Sequence, residues 1–235
     1  MWVSVAESSL IHAHSSLGTP WWISIVGFTL GIRLISSPVR AYSIRNTAKV
    51  SKCMEVVEKQ KLRSQIEAKK RNSSLQKVTH EKLSELYSTQ NCHPNRSLLS
   101  LFYHIPVFLT VSAALRKMSG FNSSSAQAGF ECGGTLWFTN LTLTDPYHAL
   151  PLAVCASNFF LLYVNRHLLQ RHAETKLTKI FYGSMYTLNI VSVYILTHLP
   201  ASVGLYVLTS SVFAVVEAFA FRRYSLLYKL CTRNI

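Results

Sequence analysis

Residues 20–38 read PWWISIVGFTLGIRLISSP, a run from proline to proline that carries one charge, Arg33. About 20 predominantly apolar residues cross the hydrocarbon core of a bilayer, so the stretch reads as a membrane span. Arg33 lies well inside it. A charge near mid-membrane costs about 2.5–3.5 kcal/mol even on lenient insertion scales, and such residues usually face a wet cavity. The other reading is snorkelling: Arg33 precedes Arg40 by seven residues, roughly 10 Å of helix rise, and a long side chain covers part of that way.

Four further apolar runs follow, at 98–115, 149–164, 180–199 and 201–221. The first two of these are short for a bilayer, which implies a locally thinned membrane or snorkelling ends. Only Pro200 separates the last two, so they form a tight helical hairpin. Between the spans the charge is lopsided. Segments 40–97, 165–179 and 222–235 hold 21 of the 24 Lys and Arg and 6 of the 10 Asp and Glu. Segments 1–19 and 116–148 hold Arg116 and Lys117 against Glu7, Glu131 and Asp145. The basic side is therefore cytoplasm or mitochondrial matrix, with the N-terminus outside and the C-terminus inside. The expected fold is an all-α membrane protein with five transmembrane helices. A net charge of +14 otherwise suggests a nucleic-acid binder, but such a protein needs no long uncharged runs.

The 41–97 segment reads as an inside-facing helical hairpin. Val50, Met54, Val57, Leu62 and Ile66 form one apolar stripe, Leu75, Val78, Leu83 and Leu86 a second, and Asn72-Ser73-Ser74 the turn. A disordered basic loop is the alternative. On the outer side, Trp21, Trp22, Trp137 and Phe138 are expected as interface anchors, where amphipathic rings sit at headgroup level. The first basic residue is Arg33, so neither a secretory signal nor an Arg-rich presequence is read.

Glu217 is the second charge inside a span, five residues before Arg222. Counting from the basic ends of their spans, Arg33 and Glu217 differ in depth by only about 3 Å, so a direct pair is expected if their helices adjoin. Thr209, Ser210 and Ser211 precede Glu217; small polar residues also serve ordinary helix packing in membranes. Cysteines 53, 92, 132, 155 and 231 show neither a disulfide framework nor zinc spacing, and His12 and His14 point to different helix faces. No nucleophile triad, phosphate loop or H-E-x-x-H is present, so neither an enzyme nor a metal or other cofactor is expected.

Several motifs in order resemble one family. TLGIRLISSP (29–38) is similar to the first core helix of the YidC-type membrane-protein insertases, with Arg33 at the groove arginine. NCHP (91–94), HIPVF (104–108) and ALRKMS (114–119) resemble the second core helix. GGTLWFTNLTLTDP (133–146) with Leu150-Pro151 resembles the loop entering the third, and LPASVGLY (199–206) the start of the fifth. The likeness covers roughly residues 15–222 and looks nearest to the mitochondrial branch that assembles cytochrome c oxidase. There are departures: the hairpin is short and lacks a proline near its start. Glu217 stands where the family usually has Gln, Ser211 where it has Asn, and His104 where it has Gln.

The resemblance implies a mitochondrial inner-membrane insertase with no covalent chemistry. Its substrate groove would be lined by Arg33, His104, Thr209, Ser210, Ser211 and Glu217, open to the matrix and to lipid but closed outside. The implied substrate is cytochrome c oxidase subunit II, whose C-terminal copper-bearing domain would be exported after translation. Other implied partners are the lipid bilayer and further oxidase assembly factors. With 14 residues after Phe221, no tight ribosome binding is expected. The competing readings are a scaffold that holds an assembly intermediate without moving it, and a channel or transporter subunit.

Overall fold

The computed structural model describes residues 2–43, 99–121, 126–169 and 176–232. Six helices run through them: α1 Trp2–Leu17, α2 Trp21–Ser43, α3 Leu99–Met118, α4 Ala149–Leu169, α5 Lys176–Thr197 and α6 Ala201–Thr232. Among the described residues the extended structure is limited to two isolated bridges, Thr135 with Phe138 and Thr144 with Pro200. The hairpin expected over 41–97 lies outside the described residues from position 44 onward.

Prolines and one carboxylate set the helix starts. Pro20 accepts hydrogen bonds from the Ile23 and Ser24 amides at 3.0 and 3.2 Å; Pro200 does the same for Val203 and Gly204 at 3.0 and 3.2 Å. Proline is suited to a first turn because its missing N–H has no partner there in any case. Asp145 caps α4: one carboxylate oxygen accepts from Tyr147 N at 3.1 Å and the other from Leu150 N at 2.7 Å. It satisfies helix-end donors and meets the positive end of the helix dipole.

The helix bounds differ from the apolar runs. α2 passes through Pro38 and continues to Ser43, although Pro38 was read as its end. α3 and α4 have 20 and 21 residues, longer than runs of 98–115 and 149–164 allow, because each continues into polar flanks. The described apolar part of α4 is still short, Ala149–Asn165. Two helical stretches, Trp21–Ser43 and Ala201–Phe221, are long and apolar enough to cross a membrane, with mean hydropathies of 1.4 and 1.8.

The loop 126–148 gathers one end of the bundle. Its Gly133 carbonyl accepts from Trp22 N at 2.9 Å at the start of α2, and its Leu143 carbonyl from Ala201 N at 2.7 Å at the start of α6. The Met118 carbonyl at the end of α3 accepts from Gln127 N at 2.8 Å. Within the loop, Gly134 N and Thr139 O meet at 2.9 Å in a tight turn, and a Cβ on Gly134 would overlap the Phe138 carbonyl. Phe130 and Leu141 are fully buried at its centre.

The apolar core clusters at this capped end. It contains Trp21 and Ile25 of α2, Leu115 and Met118 of α3, Leu150 and Val154 of α4, and Val203 and Tyr206 of α6. α4 packs against both α5 and α6, and α3 against α6. α1 lies against α3, burying Leu10, with Lys117 Nζ 2.7 Å from Glu7. Large apolar side chains are exposed along the outer faces of the bundle, including Ile35 at 76% and Ile180 at 72%.

Two expected interface anchors are interior residues. Trp21 is 3% exposed, stacks on His14 with ring centroids 3.7 Å apart, and donates its indole N–H to the Ala128 carbonyl at 3.2 Å. Phe138 is 5% exposed inside the loop. Both rings fill space that the cap encloses. Trp22 is partly buried against the core, while Trp137 remains exposed.

Candidate functional site

Away from the capped core, the five helices α2 to α6 all line one cavity of about 430 Å³. α2 contributes Arg33, Ser36 and Arg40; α3 contributes Tyr103, His104 and Phe108; α4 contributes Asn158; α5 contributes Ser192; α6 contributes Ser210 and Ser211. Val39, Leu161, Leu196, Ala214 and the core residues Val154 and Val207 also line it, so its wall is largely apolar with the polar groups set into it, and the Phe108 and Tyr206 rings meet beside it with centroids 5.7 Å apart.

Arg33 is only 8% exposed. Its Nε donates to Ser210 Oγ at 2.8 Å, and Nη2 donates to the same hydroxyl and lies 3.2 Å from His104 Nε2. An arginine nitrogen has no lone pair to offer, so His104 must accept through Nε2 and carry its proton on Nδ1. Three helices are thus joined at one guanidinium. The side chain turns across the bundle toward α6 and α3.

Glu217 does not pair with Arg33. Its Oε2 lies 3.1 Å from Nη1 of Arg40, and its Oε1 is buried without a hydrogen-bond partner among the described residues. The reason is register. α2 and α6 both start at the capped end and run the same way. Arg33 meets Ser210 and Arg40 meets Glu217, the same offset of 177 positions in both cases. Seven residues make about two turns, so each helix repeats a contact on one face roughly 10 Å further along. Arg222 therefore does not mark the same depth as Arg40, and the depth estimate that aligned Arg33 with Glu217 fails.

The expected groove residues separate accordingly. Arg33, His104, Ser210 and Ser211 come together at the cavity wall. Thr209 does not: its hydroxyl donates to the Leu205 carbonyl of its own helix at 2.8 Å. Glu217 stands behind Arg40, which it fixes at the wall. Sequence reasoning missed Arg40, although its spacing of seven from Arg33 is the signal for a shared helix face. It also missed the amides of α4 and α5. Asn158 Nδ2 lies 3.4 Å from Asn189 Oδ1, and Asn189 Nδ2 donates to the Cys155 carbonyl at 3.2 Å. Both asparagines interrupt apolar runs, which was a legible cue.

Among the described residues no three His, Cys, Asp or Glu side chains gather as a metal site, and Cys132 and Cys155 are free thiols. The cavity offers guanidinium, hydroxyl, imidazole and amide groups. It can solvate a polar chain segment and attract negative charge; no nucleophile–base pair lines it.

The described helices form a bundle gathered at one end by the 126–148 loop, with Arg33 buried at the wall of a cavity that five of them line. The chain belongs to the 60Kd inner membrane protein family, the YidC/Oxa1 family, whose sequence profile matches residues 12–226. Particular relatives sharpen this. The chain is 30% identical to the mitochondrial cytochrome c oxidase assembly protein COX18 of Homo sapiens in an alignment that covers 89% of this chain and 67% of that protein. The COX18 protein of Mus musculus is 28% identical, covering 92% of this chain and 69% of its own length. The mitochondrial inner membrane protein oxa1-1 of Schizosaccharomyces pombe is 31% identical over 86% of this chain, but the match spans only 52% of that relative.

Proposed function

We propose that the chain is an insertase of the mitochondrial inner membrane that moves polar segments of cytochrome c oxidase subunit II through the Arg33 cavity. The observation that carries this reading is a buried guanidinium, hydrogen-bonded to Ser210, at the wall of a cavity that α2 to α6 all line. The relatives named for cytochrome c oxidase assembly support an oxidase substrate, and the choice of subunit II follows the family resemblance. α2 to α6 are the five membrane spans: their outer faces expose large apolar side chains while Arg33, Asn189, Ser210 and Glu217 are inside, the reverse of a water-soluble bundle. The charge bias places the cap and N-terminus in the intermembrane space, and the 41–97 segment and C-terminus in the matrix.

The mechanism is physical. A polar segment entering from the matrix meets the donors of Arg33 and the hydroxyls and amides around it, so its desolvation cost falls. The short apolar stretch of α4 thins the membrane locally and shortens the remaining path. The substrate's own apolar helix then moves into lipid, which drives the step. No bond is made or broken in the substrate, so the protein is not an enzyme.

Reconstitution tests this reading. Proteoliposomes holding the purified chain should shield the C-terminal domain of a one-span substrate from external protease, whereas protein-free vesicles should not. Binding without protection would favour a scaffold, and ion conductance in the absence of substrate would favour a channel.

A further inference from the structure

The proposal concerns the charge of the cavity and rests on the insertase reading above. Among the described residues, three charged side chains bear on the cavity. Arg33 is held by Ser210 and His104, neither of which brings it a counter-charge. Arg40 lines the same wall about 10 Å further along α2. Glu217 contacts Arg40 at 3.1 Å from a side chain that is 5% exposed, against 28% for Arg40. The cation is thus the partner in reach of a passing segment, and the anion sits behind it. The half-satisfied carboxylate, with Oε1 unpartnered, is costly to bury, which calls for a role beyond filling space.

We infer that Glu217 is a positioning residue that sets the charge selectivity of the cavity. By engaging Arg40 it leaves one uncompensated cation, Arg33, instead of two. Transit then favours neutral or weakly charged segments, and strongly acidic ones gain no second anchor that would hold them back or draw them in. Substrate class is therefore decided at a position that does not itself line the cavity.

The test uses the full chain in vesicles, with export scored by protease protection for three substrates that differ only in tail charge: acidic, neutral and basic. The readout is the ratio of acidic to neutral export, normalised to folded insertase. Glu217→Gln should raise that ratio about tenfold, the effect expected of one unscreened charge acting over 6–10 Å at an intermediate dielectric. Arg40→Gln should lower it, with a matching rise for the basic tail. The double variant, Arg40→Gln with Glu217→Gln, has lost the ion pair but has the same net cavity charge as the unaltered protein, so its ratio should return to the starting value. A merely structural clamp predicts the opposite pattern: both single variants and the double lose export of all three tails in proportion. That result, or an unchanged ratio in Glu217→Gln, overturns the proposal while leaving the insertase reading intact. If the unaltered protein exports none of the three tails, the insertase reading falls and the proposal with it.

Discussion

Removing one partner of the Arg40–Glu217 pair should have very different consequences depending on which partner goes. The side chains are 3.1 Å apart, but Arg40 is 28% exposed and Glu217 only 5%. In Arg40→Gln the carboxylate stays buried, already with one oxygen unpartnered, and loses its counter-charge. Breaking a fully buried pair typically costs about 3–5 kcal/mol because an uncompensated charge remains. Arg40 reaches the wet cavity, so water relieves part of this, and about 2–4 kcal/mol is expected. In Glu217→Gln the stranded group is the arginine, which can turn toward water, and the buried amide is easier to satisfy than a carboxylate. That loss should stay below about 1 kcal/mol. Equilibrium unfolding in mixed detergent micelles, followed by helical circular dichroism, measures both. Equal losses, or a larger loss in Glu217→Gln, would refute the reasoning from burial.

Other consequences can be checked alongside. Asp145→Ala should cost about 1–3 kcal/mol, because the buried Leu150 amide in the first turn of α4 and the part-buried Tyr147 amide just before it lose their acceptor, and Asp145→Asn, which keeps one acceptor, about half as much in the same assay. Gly134→Ala should block the loop turn, since its Cβ meets the Phe138 carbonyl, and the yield of monodisperse protein should collapse; a normal yield would show that the cap tolerates rearrangement. Single cysteines introduced as Gln60→Cys and Ser125→Cys into a chain freed of its own cysteines should react with impermeant label from opposite sides of the membrane, and labelling of both from one side would sink the five-span topology.

Much of the helical layout was legible because it depends on local chemistry. Pro20 and Pro200 bound apolar runs, and Arg33 announces itself as a charge inside one. What failed depends on which surfaces meet. Pro38 did not end α2, since a helix supported by its neighbours tolerates one missing N–H. Trp21 looks like a membrane anchor from its position, but the stacked His14 and the Phe130 ring at 4.8 Å enclose it. The helical setting of His12 and His14 was legible, but the packing of α1 on α3 was not, because its partner lies over 80 residues away. The Arg33–Glu217 expectation failed for the same reason. Flanking charges give a rough depth for each residue, but the mutual register of two helices is fixed by side chains packing between them, here Arg33 with Ser210 and Arg40 with Glu217.

The central claim is that the buried guanidinium of Arg33 is what lets a polar tail cross, and the most direct measurement is the initial rate of tail protection in proteoliposomes containing Arg33→Gln or Arg33→Lys. Loss of a charge-assisted anchor of about 1.5–3 kcal/mol corresponds to a rate reduction of roughly ten- to a hundredfold for Arg33→Gln. Arg33→Lys, which keeps the charge but not the two-sided contact with Ser210 and His104, should fall between that value and the unaltered protein. Export by Arg33→Gln at the unaltered rate, in vesicles shown to hold the same amount of folded protein, would contradict the account.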